Sequence, residues 1–443
     1  MKFYIRRLGC PKNDVDADYI AARLIAEGHR PAEHPDDAEV VLVNTCGFIQ
    51  AAKEESIEAL LELAQLKSEG TVRNVIATGC LSQRYGNDLL NEMPELDGAF
   101  GHGMLEQIVA ALKSGRRTPN LVSTDVRQLA WLDWKDRFIS DAYPYSYVKL
   151  SDGCNRTCSF CSIPLMRGSF RSRPMDSIVR EAEFLAANGK RELILVSQES
   201  TLWGSDLKEK SDIVQLLRRL EEVDGVDWIR LMYLYPSQVS DELIVHLASG
   251  GKTLDYFDLP LQHINDDILG AMHRTSNRRS IEALLDKIRR AAPDATLRTT
   301  FIVGFPGESE AQFEELLEFV IAQRFDRLGG FAFSPEEGTP AADMPDQVPD
   351  EVKEERLDRL MTLQQEVVFE RNNSLIGNVE QVIIDEVLED GDAVGRTRGD
   401  CPEIDQEVLV RRGEVSVGEI RPVRIEAAEG YDLIGSFIRE SGS

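Results

Sequence analysis

Ser151-Asp152-Gly153-Cys154-Asn155-Arg156-Thr157-Cys158-Ser159-Phe160-Cys161 sets three cysteines in a Cys-x-x-x-Cys-x-x-Cys run with no fourth thiol nearby. A four-iron cluster normally takes four protein thiolates, one per iron. Three thiolates leave one iron open to an external ligand, so such a cluster can bind and reduce a substrate instead of only relaying electrons. Two other readings compete. A structural zinc site wants four closed ligands, and no histidine follows at finger spacing. A redox dithiol would use Cys158 and Cys161 alone and leave Cys154 without a role.

The run resembles the signature of the radical S-adenosylmethionine (radical SAM) enzymes, with Phe160 at the aromatic position those enzymes keep beside the adenine. The resemblance implies a [4Fe-4S] cluster on Cys154, Cys158 and Cys161 whose open iron chelates SAM. One electron then yields methionine and a 5′-deoxyadenosyl radical. Outward from the run, apolar stretches at Tyr147 to Leu150, Leu193 to Ser197, Trp228 to Tyr233, Tyr256 to Pro260, Thr299 to Gly304 and Arg327 to Phe333 alternate with helical patterns. Six such units suit the open (β/α)6 barrel of that family. The cysteine run follows the first strand, at the carboxyl-terminal face where barrel active sites lie. Ser197-Gln198-Glu199 and Gly304-Phe305-Pro306-Gly307-Glu308 resemble family positions near SAM, which makes Phe160, Gln198, Gly304 and Glu308 the expected contacts. Glycines with Pro306 also make an ordinary turn. His263 is read as structural.

Upstream, Phe3 to Leu8, Val40 to Val43 and Val75 to Ala77 read as buried strands, with helices from about Val15 to Glu27 and Ile49 to Leu66. This alternation predicts a parallel sheet covered by helices. A cysteine beside a glycine follows each strand: Gly9-Cys10, Cys46-Gly47 and Gly79-Cys80, spaced by 36 and 34 residues. Ligands of open α/β sheets gather beyond the carboxyl ends of strands, so three distant thiols would converge. Scattered free cysteines are also common core residues. Leu8-Gly9-Cys10-Pro11-Lys12-Asn13, Val43-Asn44-Thr45-Cys46-Gly47-Phe48-Ile49 and Thr78-Gly79-Cys80-Leu81-Ser82-Gln83 closely resemble the amino-terminal domain of the methylthiotransferases, a branch of the radical SAM enzymes. The resemblance implies that Cys10, Cys46 and Cys80 hold a second [4Fe-4S] cluster, which supplies or carries the inserted sulfur. Cys401 fits neither triplet and is read as a free thiol.

From Ser374 the pattern changes to short β runs at Val379 to Ile384, Ala393 to Thr397, Glu407 to Val410, Ile420 to Ile425 and Ile434 to Ile438, consistent with a small OB-like barrel. Methylthiotransferases end in such a module, called TRAM. Expected limits are 1–125 for the amino-terminal domain, 140–373 for the radical SAM domain and 374–443 for TRAM. Over the last of these, sixteen acidic residues face seven basic ones, and the whole chain carries a net charge of −27. Phosphate contacts need clustered Lys and Arg, so nucleic acid is a poor primary substrate and a basic protein a better one. The aromatic connector of Trp131, Trp134, Phe138, Tyr143, Tyr145 and Tyr147 is read as domain-junction packing, and Pro349 to Arg371 as a solvated linking helix.

No apolar run reaches membrane length and no signal-like stretch opens the chain. The expected compartment is the cytoplasm, where seven cysteines point to metal or catalysis before disulfides. Pro11-Lys12-Asn13, Phe160-Cys161-Ser162-Ile163-Pro164-Leu165-Met166-Arg167-Gly168 and Ser334-Pro335-Glu336-Glu337-Gly338-Thr339-Pro340 resemble the branch that modifies an aspartate of the decoding-centre protein of the small ribosomal subunit. The sister branch modifies a tRNA adenosine and typically has Gln-Met-Asn at the first of these. The resemblance further implies an electron donor such as a flavodoxin. A β C–H of aspartate is beyond acid–base catalysis at neutral pH, which explains a need for cofactor chemistry. The alternatives are the tRNA enzyme and a non-enzymatic iron–sulfur sensor or carrier.

Overall fold

The computed structural model describes the chain except residues 115–117, 119–120, 123–130, 132–136, 140–141, 412 and 439–443. Trp134 of the aromatic connector lies outside the described residues. The first layer runs β1 (Lys2–Arg7), α1 (Pro11–Ala26), β2 (Arg30–Pro31), β3 (Val40–Thr45), α2 (Gln50–Ser68), β4 (Asn74–Gly79), α3 (Cys80–Glu92), β5 (Gly98–Phe100) and α4 (Leu105–Ser114). The five strands form one parallel sheet in the order β2-β1-β3-β4-β5. All six residues of β3 are buried, as a central strand covered on both faces requires.

The second region contains β6 (Tyr145–Lys149), β7 (Ser151–Asp152), α5 (Ile163–Arg167), β8 (Arg171–Ser172), α6 (Met175–Ala187), β9 (Glu192–Val196), α7 (Ile213–Glu221), β10 (Trp228–Leu231), α8 (Asp241–Leu247), β11 (Tyr256–Gln262), α9 (Asp266–Ala271), α10 (Arg278–Ala291), β12 (Thr296–Val303), α11 (Glu310–Gln323), β13 (Arg327–Ala332) and α12 (Asp350–Leu375). Strands β6, β9 and β10 pair in parallel, as do β11, β12 and β13. The halves meet where Leu234 N donates to Asp258 O at 2.9 Å, giving a split barrel of six strands in chain order. Alternation within strands sorts the side chains. Val148, Leu193, Leu195, Ile229, Leu231, Phe257 and Leu259 pack outward with the helices. Tyr145, Tyr147, Ile194, Val196, Trp228, Met232 and Tyr256 form the inner core together with Val15 and Tyr19 of α1. The amino-terminal layer therefore contributes to the barrel's own core.

The third region, β14 (Val379–Val387), β15 (Ala393–Thr397), β16 (Val408–Arg411), β17 (Ile420–Glu429) and β18 (Asp432–Phe437), is a closed barrel in the order β14-β15-β16-β18-β17. Its β15–β16 loop enters the mouth formed by the strand starts of the larger barrel. Arg327 donates to Asp400 there, Tyr256 Oη donates to Asp405 at 2.6 Å and Tyr145 Oη to Glu403 at 3.0 Å. Arg396 pairs with Glu192 at 2.8 Å. Cys401, 2% exposed, belongs to the inner core. Among the described residues no helix is long and apolar enough to cross a membrane.

Candidate active site

Each cysteine of the first triplet sits where a strand hands over to a helix: Cys10 caps α1, Cys46 follows β3 and Cys80 opens α3. Parallel neighbours end at the same level, so the topology brings the three loops together. Gly9 has φ +92°, and a Cβ there would lie 2.7 Å from Cys46 Cβ, so only glycine lets these loops close up. Asn13, fully buried, ties them by donating to Leu8 O at 2.9 Å and Thr45 O at 3.1 Å, while its own carbonyl accepts from Asn44 at 2.6 Å. Ser56 brackets Cys46, accepting from its N–H at 2.9 Å and donating to its carbonyl at 3.0 Å. Burial pushes the Cys80 thiol up to about 12 against the opposing Arg167 charge, and Cys46 also shifts upward by burial.

The second triplet occupies the loop after β7. Cys161 N donates to Cys158 O at 3.2 Å, and Cys154 N to Gly168 O at 3.1 Å. Burial raises Cys154 to about 11 and Cys161 to about 12, with the neighbouring cysteine charges adding to the effect. A backbone amide and a guanidinium reach the sulfurs. Arg156 N donates to Cys154 Sγ at 3.4 Å and Arg274 Nη1 to Cys158 Sγ at 3.8 Å. Both guanidinium groups lie over the Tyr235 ring, at 4.1 and 4.2 Å, and Arg156 makes a bidentate pair with buried Glu199, both bonds 2.6 Å.

The two cysteine loops touch each other. Ser162 Oγ, next to Cys161, donates to Phe48 O at 3.4 Å, two residues from Cys46. Arg167 on α5 lies 3.8 Å from Cys80 Sγ, donates to Asn13 Oδ1 at 2.6 Å, and pairs with Asp16 at 2.7 Å and Asp152 at 3.3 Å. From α1, Lys12 Nζ reaches Ser197 O at 3.4 Å and lies 3.6 Å from the Tyr233 ring centroid. Across the opposite rim, Glu336 accepts ion pairs from Lys53 of α2 and Arg84 of α3, both at 2.9 Å.

Each triplet offers three thiols with N–H donors near the sulfurs and no fourth thiol beside them, a donor chemistry that suits an iron–sulfur cluster, although among the described residues no group of three or more His, Cys, Asp or Glu is arranged to hold a metal ion. Gln198 Oε1, in the loop after β9, is buried without a hydrogen-bond partner, which suits a bound ligand. Phe160 packs against the cluster of Phe305 and Phe333. Two expected contacts have a different geometry. The Glu308 carboxylate accepts through Oε2 from Gly304 N and from Phe305 N at 3.0 Å and lies 3.7 Å from Arg356, while its Oε1, like Gln198 Oε1, is buried without a hydrogen-bond partner. A Cβ at Gly304, φ +71°, would run into Lys353, so α12 already explains that glycine. His263 is fully buried 3.7 Å from Glu308, in keeping with a structural reading. Lys12, Arg167, Arg274, Tyr233 and Tyr235 were not picked out as site residues by sequence. Lys12 and Arg167 did lie within branch-specific motifs, which was the available signal.

Residues 148–320 match the Radical SAM superfamily model, 2–101 the "Uncharacterized protein family UPF0004" model and 376–438 the TRAM domain model. The chain is 41% identical to the ribosomal protein uS12 methylthiotransferase RimO of Desulfitobacterium hafniense (strain Y51), over 99% of each protein. It is 43% identical to the enzyme of the same name from Pelobacter propionicus, over 97% of this chain and 96% of that protein. Among solved structures it is similar to the radical SAM methyltransferase TsrM of Kitasatospora setae, with a TM-score of 0.55 and 16% identity over 86% of this chain and 80% of that one, a likeness of fold.

Proposed function

The chain belongs to the ribosomal protein uS12 methylthiotransferases of the radical SAM superfamily, and we propose that it inserts a methylthio group at the β-carbon of an aspartate of that basic ribosomal protein. Its cofactors are two [4Fe-4S] clusters and SAM. Cys10, Cys46 and Cys80 would hold one cluster, and Cys154, Cys158 and Cys161 the other. When bound, these groups supply the carbon-centred radical chemistry and the sulfur that no protein side chain provides.

The observation that carries this reading is the contact between the two triplets through Ser162–Phe48 and Arg167–Cys80. An iron–sulfur carrier needs one set of ligating thiols, not two sets whose loops touch across a domain junction. The chain's residues then have definite tasks. Arg156 and Arg274, held by Glu199, Tyr235 and Pro260 O, set positive charge against the second triplet. Arg167 does the same for Cys80 while locking α5 to α1. Phe160, Gln198, Gly304 and Glu308 are the proposed SAM contacts, and Gly304 and Glu308 also shape the loop they lie in. The division of labour follows residues 1–125, 140–373 and 374–443. A reductant of the flavodoxin class and a cytoplasmic setting complete the proposal.

The test is the mass of uS12 after anaerobic incubation with reconstituted enzyme, SAM, sulfide and reductant, with tRNA assayed in parallel. One methylthio group on an aspartate is expected. A modified tRNA would move the chain to the sister reaction. Replacing Cys154, Cys158 and Cys161 by Ala should end 5′-deoxyadenosine formation. Replacing Cys10, Cys46 and Cys80 should leave some SAM cleavage and end sulfur insertion; continued methylthiolation would make those three mere core residues.

A further inference from the structure

Many buried cations among the described residues meet carboxylates. Lys149 pairs with Asp16 and Asp152, Arg137 with Asp18 and Glu181, Arg230 with Glu192, and Arg327 with Asp400. Leaving a buried charge uncompensated is costly, so such pairing is the rule. Lys12 departs from it. It is 6% exposed, yet it forms no ion pair with a carboxylate among the described residues. An ammonium has three N–H donors; Ser197 O takes one at 3.4 Å and the Tyr233 hydroxyl another, with Cys10 nearby, so donor capacity remains and no carboxylate uses it.

Its setting is also strained. Tyr233, whose ring lies 3.6 Å from the ammonium, has φ +61°, an unfavourable conformation for a bulky residue. Asp258 Oδ2 holds it by accepting from Tyr233 N at 2.9 Å, and Ser200 N donates to its carbonyl at 3.1 Å. Such strain persists where surroundings over-determine it, characteristically at ligand clamps. The ammonium is thus fixed two residues from Cys10, beside the loop that carries Gln198.

Resting on the function proposed above, we infer that Lys12 receives the side-chain carboxylate of the target aspartate and selects an acidic side chain over a neutral one. The carboxylate partner missing from the protein arrives with the substrate. The reacting carbon is bonded directly to the carboxylate carbon, so a gripped carboxylate restricts the β-carbon to rotation about one bond. A site for a neutral purine has no use for a buried ammonium held without a carboxylate partner.

The experiment is an anaerobic binding cycle with cluster-loaded enzyme. Wild type, Lys12→Met and Lys12→Arg are each titrated with uS12 and with uS12 whose target aspartate is replaced by asparagine, and iron content is measured alongside. In wild type the asparagine protein should bind on the order of tenfold more weakly. In Lys12→Met the two should bind alike at full iron content, and Lys12→Arg should restore part of the discrimination. Discrimination that survives in Lys12→Met overturns the inference, as does equal binding by wild type. If Lys12 only offsets thiolate charge, iron content falls and discrimination stays, which also overturns it. Failure of wild type to bind or modify uS12 at all overturns the function proposed above, and is thereby distinguished from failure of Lys12.

Discussion

Asp14, in the first turn of α1, is half-buried where the amino-terminal layer approaches the β15–β16 loop. Burial pushes its carboxyl up to about 6; Arg7 opposes this, while Glu403, Asp18 and Asp16 reinforce it. The folded protein therefore keeps a proton that the unfolded chain loses near pH 3.8. Stability falls as pH rises between those values, and the cost is complete above about pH 6. Asp14→Asn should stabilise the fold by about 2 kcal/mol at pH 7.5 and by nothing below about pH 4. Unfolding midpoints of both proteins across that range check it; a gain independent of pH would refute it. At this scale the grouping of the six cysteines proposed as cluster ligands was legible in the chain. Three share a local run and three share one kind of place, the end of a strand. Their partners were not: Lys12 and Ser197 are 185 positions apart, and no local pattern encodes that contact.

Elements were legible wherever a strand is apolar along its length. β3, β9 and the six-fold alternation match the reading, with boundaries shifted by a few residues. β5 and α4 were missed: three residues, Gly-Ala-Phe, carry too little pattern to mark a strand. The Ser334–Pro340 motif was legible as a resemblance, but its work is a matter of tertiary contact. Glu336, 1% exposed, gathers Lys53 and Arg84, Arg84 also donates to Glu337 O, and Tyr85 Oη donates to Glu337 at 3.2 Å. This segment anchors α2 and α3 against the rim beyond β13. Glu336→Gln leaves two cations without a buried counter-charge, at a cost of about 3 kcal/mol at that interface. Since a small misplacement is enough to cost a reaction on the order of a hundredfold, methylthio transfer should drop far more than 5′-deoxyadenosine formation. The ratio of the two products reads this directly. An equal fall in both would mean the anchor supports the barrel generally.

For the molecule as a whole, the sequence was a fair guide to three regions and a poor one to how they interlock. The net negative charge of the last region was read as a face for a basic partner. Part of it faces inward instead: Asp385, Asp400, Glu403 and Asp405 meet Arg396, Arg327, Tyr145 and Tyr256. Cys401 is likewise a packing residue, its thiol driven upward by burial and unsuited to reaction. Asp400→Ala would leave buried Arg327 only the longer 3.9 Å pair with Asp405 and should cost about 3 kcal/mol of stability, seen as a lowered unfolding midpoint for the entire protein. A midpoint change confined to the small barrel would show that the regions unfold independently.

The β15–β16 loop sets a condition on rebuilding this enzyme. Because residues 398–405 complete the floor of the larger barrel, the carboxyl-terminal module is not interchangeable at its linker. A chimera that takes a TRAM from another methylthiotransferase must import a loop matched to Glu192, Arg298 and Arg327, or keep this one on the foreign barrel. Whatever substrate preference that module has can then be transplanted only together with the part of it that belongs structurally to its neighbour.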